Sequence, residues 1–278
     1  MEHFSYARFR HKRQFRVLTG VTPDVFQTMI ERLRPHWRER IVAAKKRSGR
    51  PWRVGELEDH LLVLLLLYRG AITQDFAACL YGTDQSVISR ALRRIENLAA
   101  RVLGVKRAIR VSREEAAALI FDCTEQPIQR PGRKQRRWYS GKKKRHTIKT
   151  EIAITEPGRI VSVSRPAPGS VHDITLRRRG PPIPKDAHAY VDSGYQGLQQ
   201  NHPHTELPYK KSKKKPLTKD ERTYNHALSR FRVRIEHKIA QVKTFRLLAE
   251  RFRYPKITYA AHHPSVFHDD RLTSCSWV

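Results

Sequence analysis

The chain has 278 residues, with 56 Lys plus Arg against 26 Asp plus Glu, a formal net charge of +30 and a sequence pI near 10.7. That length is enough for two domains with separate cores, and the charge favours a polyanionic partner, nucleic acid foremost, with a generic RNA-coating protein as the bland alternative. The longest apolar run, Leu61 to Tyr68, is far shorter than the roughly 20 residues of a membrane helix, and Cys79, Cys123 and Cys275 form neither a CxxC pair nor a disulfide framework, which fits a reducing, cytoplasmic setting.

The first predicted helix starts at "TPDVFQTMIERL", where Thr22 is the N-cap, Pro23 the first helical residue and Asp24 an acid in the first turn. The basic text "KKRSGRPWR" (Lys45 to Arg53) then reads as a linker or DNA-contacting arm before a helix over Val54 to Tyr68. Thr73 to Leu103 reads as two helices around a tight "YGT" turn, with Gly82 making the turn and Thr83 the cap. In the second of them Ile88, Leu92, Ile95 and Ala99 form a buried stripe, which leaves Gln85, Ser86, Ser89, Arg90 and Arg93 outward. These are residue types that contact base edges and phosphates, so a DNA-binding helix-turn-helix is expected, with an ordinary helical hairpin as the alternative.

After Arg110 the hydrophobic period changes. "AALIFDCTEQPIQ", "KRHTIKTEIAITE" and "RIVSVSRP" read as three consecutive strands, followed by a short helix from Ser170 and a short strand in "AHAYVDSGYQG". "TKDERTYNHALSRFRVRIEHKIAQVKTFRLLAERF" reads as one long helix with Leu228, Phe231, Ile235, Ile239 and Val242 as its apolar stripe. This order specifies an α/β domain with a mixed sheet, preceded by an all-α domain.

Three acids in this basic chain sit where solvation alone would not place them. Asp122 and Asp192 follow apolar strand text, where two carboxylates can meet at one sheet edge, and Glu236 borders the stripe of the long helix. Carboxylates so grouped repel unless protonated or bound to a hard cation such as Mg²⁺ or Mn²⁺. Two such ions about 4 Å apart serve phosphodiester displacement. Taken singly, each acid is as readily a cap, turn residue or ion-pair partner.

Ordered motifs decide between these readings. "DCTEQPIQRP", "YSGKKKRHTIK", "GSVHDITL", "VDSGYQGL", the lysine run before "LTKDERTYNHALSRFRVRIEH", and "KIAQVKTFRLL" after it resemble the insertion-sequence DDE transposases related to Harbinger elements. The resemblance covers roughly residues 115 to 250 and implies a ribonuclease-H-like catalytic domain. It makes Asp122, Asp192 and Glu236 the catalytic, metal-binding triad, holding two Mg²⁺ or Mn²⁺ ions. It also puts His172 and Asp173 in a supporting role, orienting a ligand or a water, with helix capping as the alternative. Arg232, one helical turn before Glu236, would pair with it or with a phosphate.

Residues 130–146 hold nine Lys or Arg, no acid, and two aromatic rings. Arg136, Arg137, Trp138, Tyr139, Lys142, Lys143 and Lys144 are therefore candidate DNA contacts, as are Lys211 and Lys213 in a second basic run. Past "RYPKITYAA" the text "HHPSVFHDDRLTSCSWV" departs from the family pattern, and a divergent or frameshifted terminus is expected. The spacing of His262, His263, His268 and Cys275 in it matches no zinc motif. The expected organisation is a DNA-binding domain over 1–110, a catalytic domain over 111–253 and a tail over 254–278. The expected function is DNA transposition at terminal inverted repeats by a homodimer or larger assembly on double-stranded DNA. A metal-dependent nuclease without strand transfer and a non-catalytic DNA-binding derivative are the alternatives.

Overall fold

A computed structural model describes residues 4–44, 51–104, 109, 111–212 and 216–253. Lys213 and the whole of the expected tail lie outside the described residues. The chain divides into two compact units, one of residues 1–104, 242–250 and 254–278, the other of residues 105–241 and 251–253.

The first unit is helical: α1 (Tyr6–Phe9), α2 (Phe15–Thr19), α3 (Pro23–Trp37), α4 (Leu57–Gly70), α5 (Gln74–Leu80) and α6 (Gln85–Val102). The Thr22 hydroxyl accepts the Val25 N–H, and Pro23 occupies the first helical position. Every residue of α4 from His60 to Tyr68 is buried, which explains why that run is apolar on all sides rather than striped. Tyr6, Phe9, Phe15 and Phe26 pack ring against ring at centroid distances of 4.7–6.3 Å beside it. Gly55, at φ 97°, admits the Asp59 carboxylate, which would lie 2.4 Å from a Cβ there.

Helices α5 and α6 carry the expected helix-turn-helix text, with Gly82 at φ 56° in the turn. The cap differs from expectation. Asp84, not Thr83, precedes α6, without a side-chain cap bond, and the Thr83 N–H donates to the Ala78 carbonyl and closes the turn. Ile88, Leu92, Ile95 and Ala99 are buried as the stripe requires, joined by Ala91 and Leu98.

The second unit contains α7 (Arg113–Ala116), β1 (Leu119–Pro127), α8 (Gln135–Trp138), β2 (Tyr139–Ser140), β3 (Arg145–Thr155), β4 (Ile160–Val163), β5 (Ala167–Pro168), α9 (Asp173–Arg178), β6 (Ala189–Tyr190), β7 (Thr205–Glu206) and α10 (Lys219–Val242). The sheet runs β2-β3-β1-β6-β7, with β4 and β5 also paired to β3. β1 is antiparallel to β3 and parallel to β6, and β6 is parallel to β7. This is the mixed-sheet, ribonuclease-H-like arrangement expected from the text. Its core joins Leu119, Phe121, Ala153, Val161, Ala189, Val191 and Tyr195.

Two expected helices are shorter than the text suggested. α9 starts at Asp173, three residues after Ser170, whose hydroxyl instead donates to the Arg137 carbonyl. The long helix ends at Val242, and Arg246–Ala249 form a separate turn of helix, α11, in the first unit. Of the expected α10 stripe only Leu228 and Ile235 are buried, and the Phe231 ring packs tilted against Tyr190 with centroids 4.4 Å apart. Among the described residues no helix is long and apolar enough to cross a membrane.

His60 gives the helical unit a pH dependence. It is fully buried between Trp37 and Trp52, its Nδ1 lies 2.8 Å from the Glu56 carbonyl and so carries the proton, and its Nε2 meets no partner. Burial lowers its pKa from 6.5 to about 4. The fold therefore prefers neutral His60, and the penalty for protonating it is absent above pH 6.5 and grows as pH falls toward 4. Urea titrations should show a loss on the order of 2–3 kcal/mol over that range, and His60→Leu should flatten this part of the profile.

Candidate active site

Asp122 and Asp192 are brought together by the parallel pairing of β1 with β6. Leu119 pairs with Ala189 and Ile120 with Tyr190, and each aspartate lies two residues beyond that last pair on its own chain segment. Side chains alternate along a strand, so both acids point to the face that carries Ile120 and Tyr190. Asp122 is not at a strand end as expected: β1 continues to Pro127 against β3. It is the short β6 that ends there, because Asp192 caps a turn of 3-10 helix, its Oδ1 accepting the Gly194 N–H at 2.8 Å.

The two carboxylates feel each other. Burial pushes the Asp122 carboxyl up from 3.8 to about 6, the Arg232 guanidinium opposes that shift, and the charge of Asp192 adds to it. Arg232 Nη2 stands 3.8 Å from Asp122 Oδ1, outside a good hydrogen bond, and its buried Nε has no partner among the described residues. Asp122 Oδ1 also accepts the Cys123 N–H at 2.9 Å, and the charge of Lys142 reaches it. Among the described residues no cation stands within ion-pair reach of Asp192.

The opposite face of the sheet holds charged groups that the sequence analysis did not select. Glu125 and Cys123 of β1 lie across from Lys149 and Glu151 of β3. Lys149 Nζ donates to Asp173 Oδ1 at 2.8 Å and stands 3.7 Å from Glu125. Arg177 donates to Glu151 at 2.5 Å, both side chains 3% exposed, and its guanidinium lies 5.0 Å from the Phe121 ring centroid. The Tyr195 hydroxyl and the Cys123 thiol are 3.3 Å apart, and burial pushes both pKa values well up, so neither ionises in the working range. A signal was present in the text: "TIKTEIAIT" puts two charges two residues apart in a run otherwise fit for a buried strand.

The other expected site residues divide clearly. Asp173 is half-buried beside the Asp192 turn, whereas His172 is exposed and precedes α9 without a side-chain cap bond. Glu236 is exposed on α10, one turn beyond Arg232. Among the described residues no three His, Cys, Asp or Glu side chains stand close enough to hold a metal ion together. Gln85, Ser86, Arg90 and Arg93 are exposed on α6, and Ser89 is half-buried. Arg136, Arg137, Tyr139, Lys142, Lys143, Lys144 and Lys211 are exposed. Trp138 is half-buried and Tyr139 packs edge-on against His146 at 5.6 Å.

A family model described as DDE superfamily endonuclease matches residues 121–267, more than half of the chain. The chain belongs to the DDE superfamily endonucleases. The match starts one residue before Asp122, contains Asp192 and Glu236, and extends past residue 253 into the segment outside the described residues. The probable transposase for insertion sequence element IS702 of Microchaete diplosiphon is 28% identical over 249 residues, 87% of this chain and 87% of its own length.

For a DDE endonuclease the raised carboxyl of Asp122 has a measurable cost. Its folded pKa lies above its unfolded one, so the group adds no penalty below pH 3.8, destabilises progressively as pH rises toward 6, and holds that full penalty at higher pH. Asp122→Asn should therefore stabilise the metal-free protein on the order of 1–3 kcal/mol at pH 7.5, with the gain fading toward pH 4. Paired thermal melts at the two pH values measure it.

Proposed function

We propose that this DDE endonuclease is an insertion-sequence transposase that binds terminal inverted repeats, cleaves the element's ends and joins them to target DNA. The observation that carries this reading is the pair Asp122 and Asp192, two residues beyond the last β1–β6 pair, one with its carboxyl raised to about 6 and the other without an ion-pair partner among the described residues. Such a pair is unfavourable alone and suits a hard divalent cation, which supplies oxygen-seeking positive charge and Lewis acidity. Asp122 and Asp192 would hold Mg²⁺ or Mn²⁺, with two ions in the full site. Glu236 completes the set from α10, one turn beyond the Arg232 that already reaches Asp122.

The chain's own groups account for the rest of the chemistry. Arg232 and Lys142, whose charges act on Asp122, offset the repulsion that a DNA phosphate would meet there. Exposed Arg136, Arg137, Lys143, Lys144 and Lys211, with Tyr139 as a stacking surface and half-buried Trp138 beside it, hold the DNA end. Lys213 belongs to the same proposed set but lies outside the described residues. Water attacks the phosphorus at the element's end, the bond to the 3′-oxygen breaks, and that oxygen leaves as a 3′-hydroxyl. The hydroxyl then attacks a target phosphodiester, forming a new P–O bond as the target's own 3′-oxygen departs. No covalent protein intermediate is required.

We assign repeat recognition to residues 1–110, with Gln85, Ser86, Ser89, Arg90 and Arg93 of α6 toward DNA, and catalysis to residues 111–253. Two ends must be paired, so the working form is a homodimer or larger assembly in the bacterial cytoplasm. The test is incubation with labelled terminal-repeat duplex and target DNA in Mg²⁺ or Mn²⁺. Joined products are expected, nicks alone would indicate a nuclease without strand transfer, and a shifted but intact duplex would indicate a binding protein. Asp122→Asn should lower product on the order of 10²–10³-fold with duplex binding retained. Undiminished cleavage by that variant would overturn the site.

A further inference from the structure

Lys149 is a buried cation with no part in the steps above. It lies in β3 opposite Glu125 and beside Ala167 of β5, with a side chain only 10% exposed. Its ammonium has three donors and three oxygens around it: Asp173 Oδ1 at 2.8 Å, the Val171 carbonyl at 2.8 Å and Glu125 Oε1 at 3.7 Å. Glu125 is held in turn by the Thr147 hydroxyl, which donates to its Oε2 at 2.6 Å. The lysine is thus fixed by two strands and by the segment that enters α9.

The second oxygen of Asp173 faces the Asp192 turn. A Cβ placed on Gly194 would lie 2.6 Å from Asp173 Oδ2 and 3.0 Å from Asp192 Oδ1. Gly194 is therefore needed for space, and two carboxylates flank this one residue. Left alone, they would repel and push the turn out of place. Of these two carboxylates Lys149 reaches Asp173 and not Asp192, from the sheet face opposite Asp122. It neutralises the acid behind the turn and leaves Asp192 free to bind a cation.

We propose that Lys149 is a positioning residue: by holding Asp173 against Gly194 it sets the turn from which Asp192 presents its carboxylate to the divalent ion. This rests on the reading that Asp122 and Asp192 bind that ion, and the controls separate the two ideas.

The measurement is Mn²⁺ affinity of the purified full chain without DNA, by calorimetry, alongside the Mn²⁺ concentration for half-maximal cleavage. Lys149→Gln should weaken Mn²⁺ binding about 10–100-fold, the range for groups that orient metal ligands, and raise the half-saturating Mn²⁺ by a similar factor. Duplex binding and far-UV circular dichroism should stay unchanged, and Lys149→Arg should recover part of the affinity. Wild-type Mn²⁺ affinity in folded Lys149→Gln overturns the proposal. If that variant fails to fold, the triple variant Lys149→Met, Glu125→Gln, Asp173→Asn removes the buried charges together. It should fold and still bind Mn²⁺ at least about tenfold more weakly, and normal affinity in it overturns the proposal equally. Asp192→Asn is the control: if it keeps full Mn²⁺ binding the ion-site reading fails, whereas lost binding in Asp192→Asn with normal binding in Lys149→Gln refutes the role of Lys149 alone.

Discussion

The parallel pairing of β1 with β6 is the constraint on which the site depends. Only two residue pairs form it, Leu119 with Ala189 and Ile120 with Tyr190, yet they set the level and the facing of both aspartates. Neighbouring strands lie about 4.8 Å apart, so the pairing brings Asp122 level with the start of the Asp192 turn, and the turn completes the approach of the two carboxylates. The antiparallel β1–β3 ladder, paired from Leu119–Thr155 to Pro127–Thr147, gives that short parallel contact a rigid base. A one-residue slip of β6 would turn Asp192 to the opposite face.

Charge balance divides between the two faces of this sheet. Behind it, Lys149 meets Asp173 at 2.8 Å and stands 3.7 Å from Glu125, and Arg177 pairs with Glu151, whose carboxyl burial still pushes up to about 7. On the face of Asp122 and Asp192 the compensation is incomplete, since Arg232 is held at 3.8 Å and the Asp122 carboxyl is pushed up to about 6. Buried charges are costly unless paired, and both faces keep a raised carboxyl; Glu151 nonetheless has Arg177 at 2.5 Å, whereas Asp192 has no ion-pair partner among the described residues. The exposed segments around 130–145 and 210–211 carry excess basic charge, which favours a polyanionic partner, while Asp122 and Asp192 form a small acidic locus.

Much of this was legible in the text because local rules and tertiary structure agree there. Thr22 and Pro23 start α3 as capping chemistry requires, Ile88 to Ala99 bury on a helical stripe, and the β-branched runs around Phe121 and Ile152 became paired strands. Readings failed at the ends of helices. Asp84 holds the cap position of α6 while the Thr83 N–H closes the preceding turn on Ala78, and Ser170 stays outside α9 with its hydroxyl bound to the distant Arg137 carbonyl. The ordered motifs selected Asp122 and Asp192, and strand pairing supplies the physical reason they belong together. Lys149 and Arg177 escaped notice because their partners are 24 and 26 residues distant, a pairing that neither period nor composition reveals. Glu236, selected in the same way, stands exposed on α10, one turn beyond Arg232.

Anomalous scattering from crystals soaked in Mn²⁺ tests shared ion binding by the two strand aspartates most directly. A peak within ligand distance of carboxylate oxygens of both Asp122 and Asp192 is the predicted result. Density showing both carboxylates free of metal at saturating Mn²⁺, with Asp122 still facing Arg232, would contradict it.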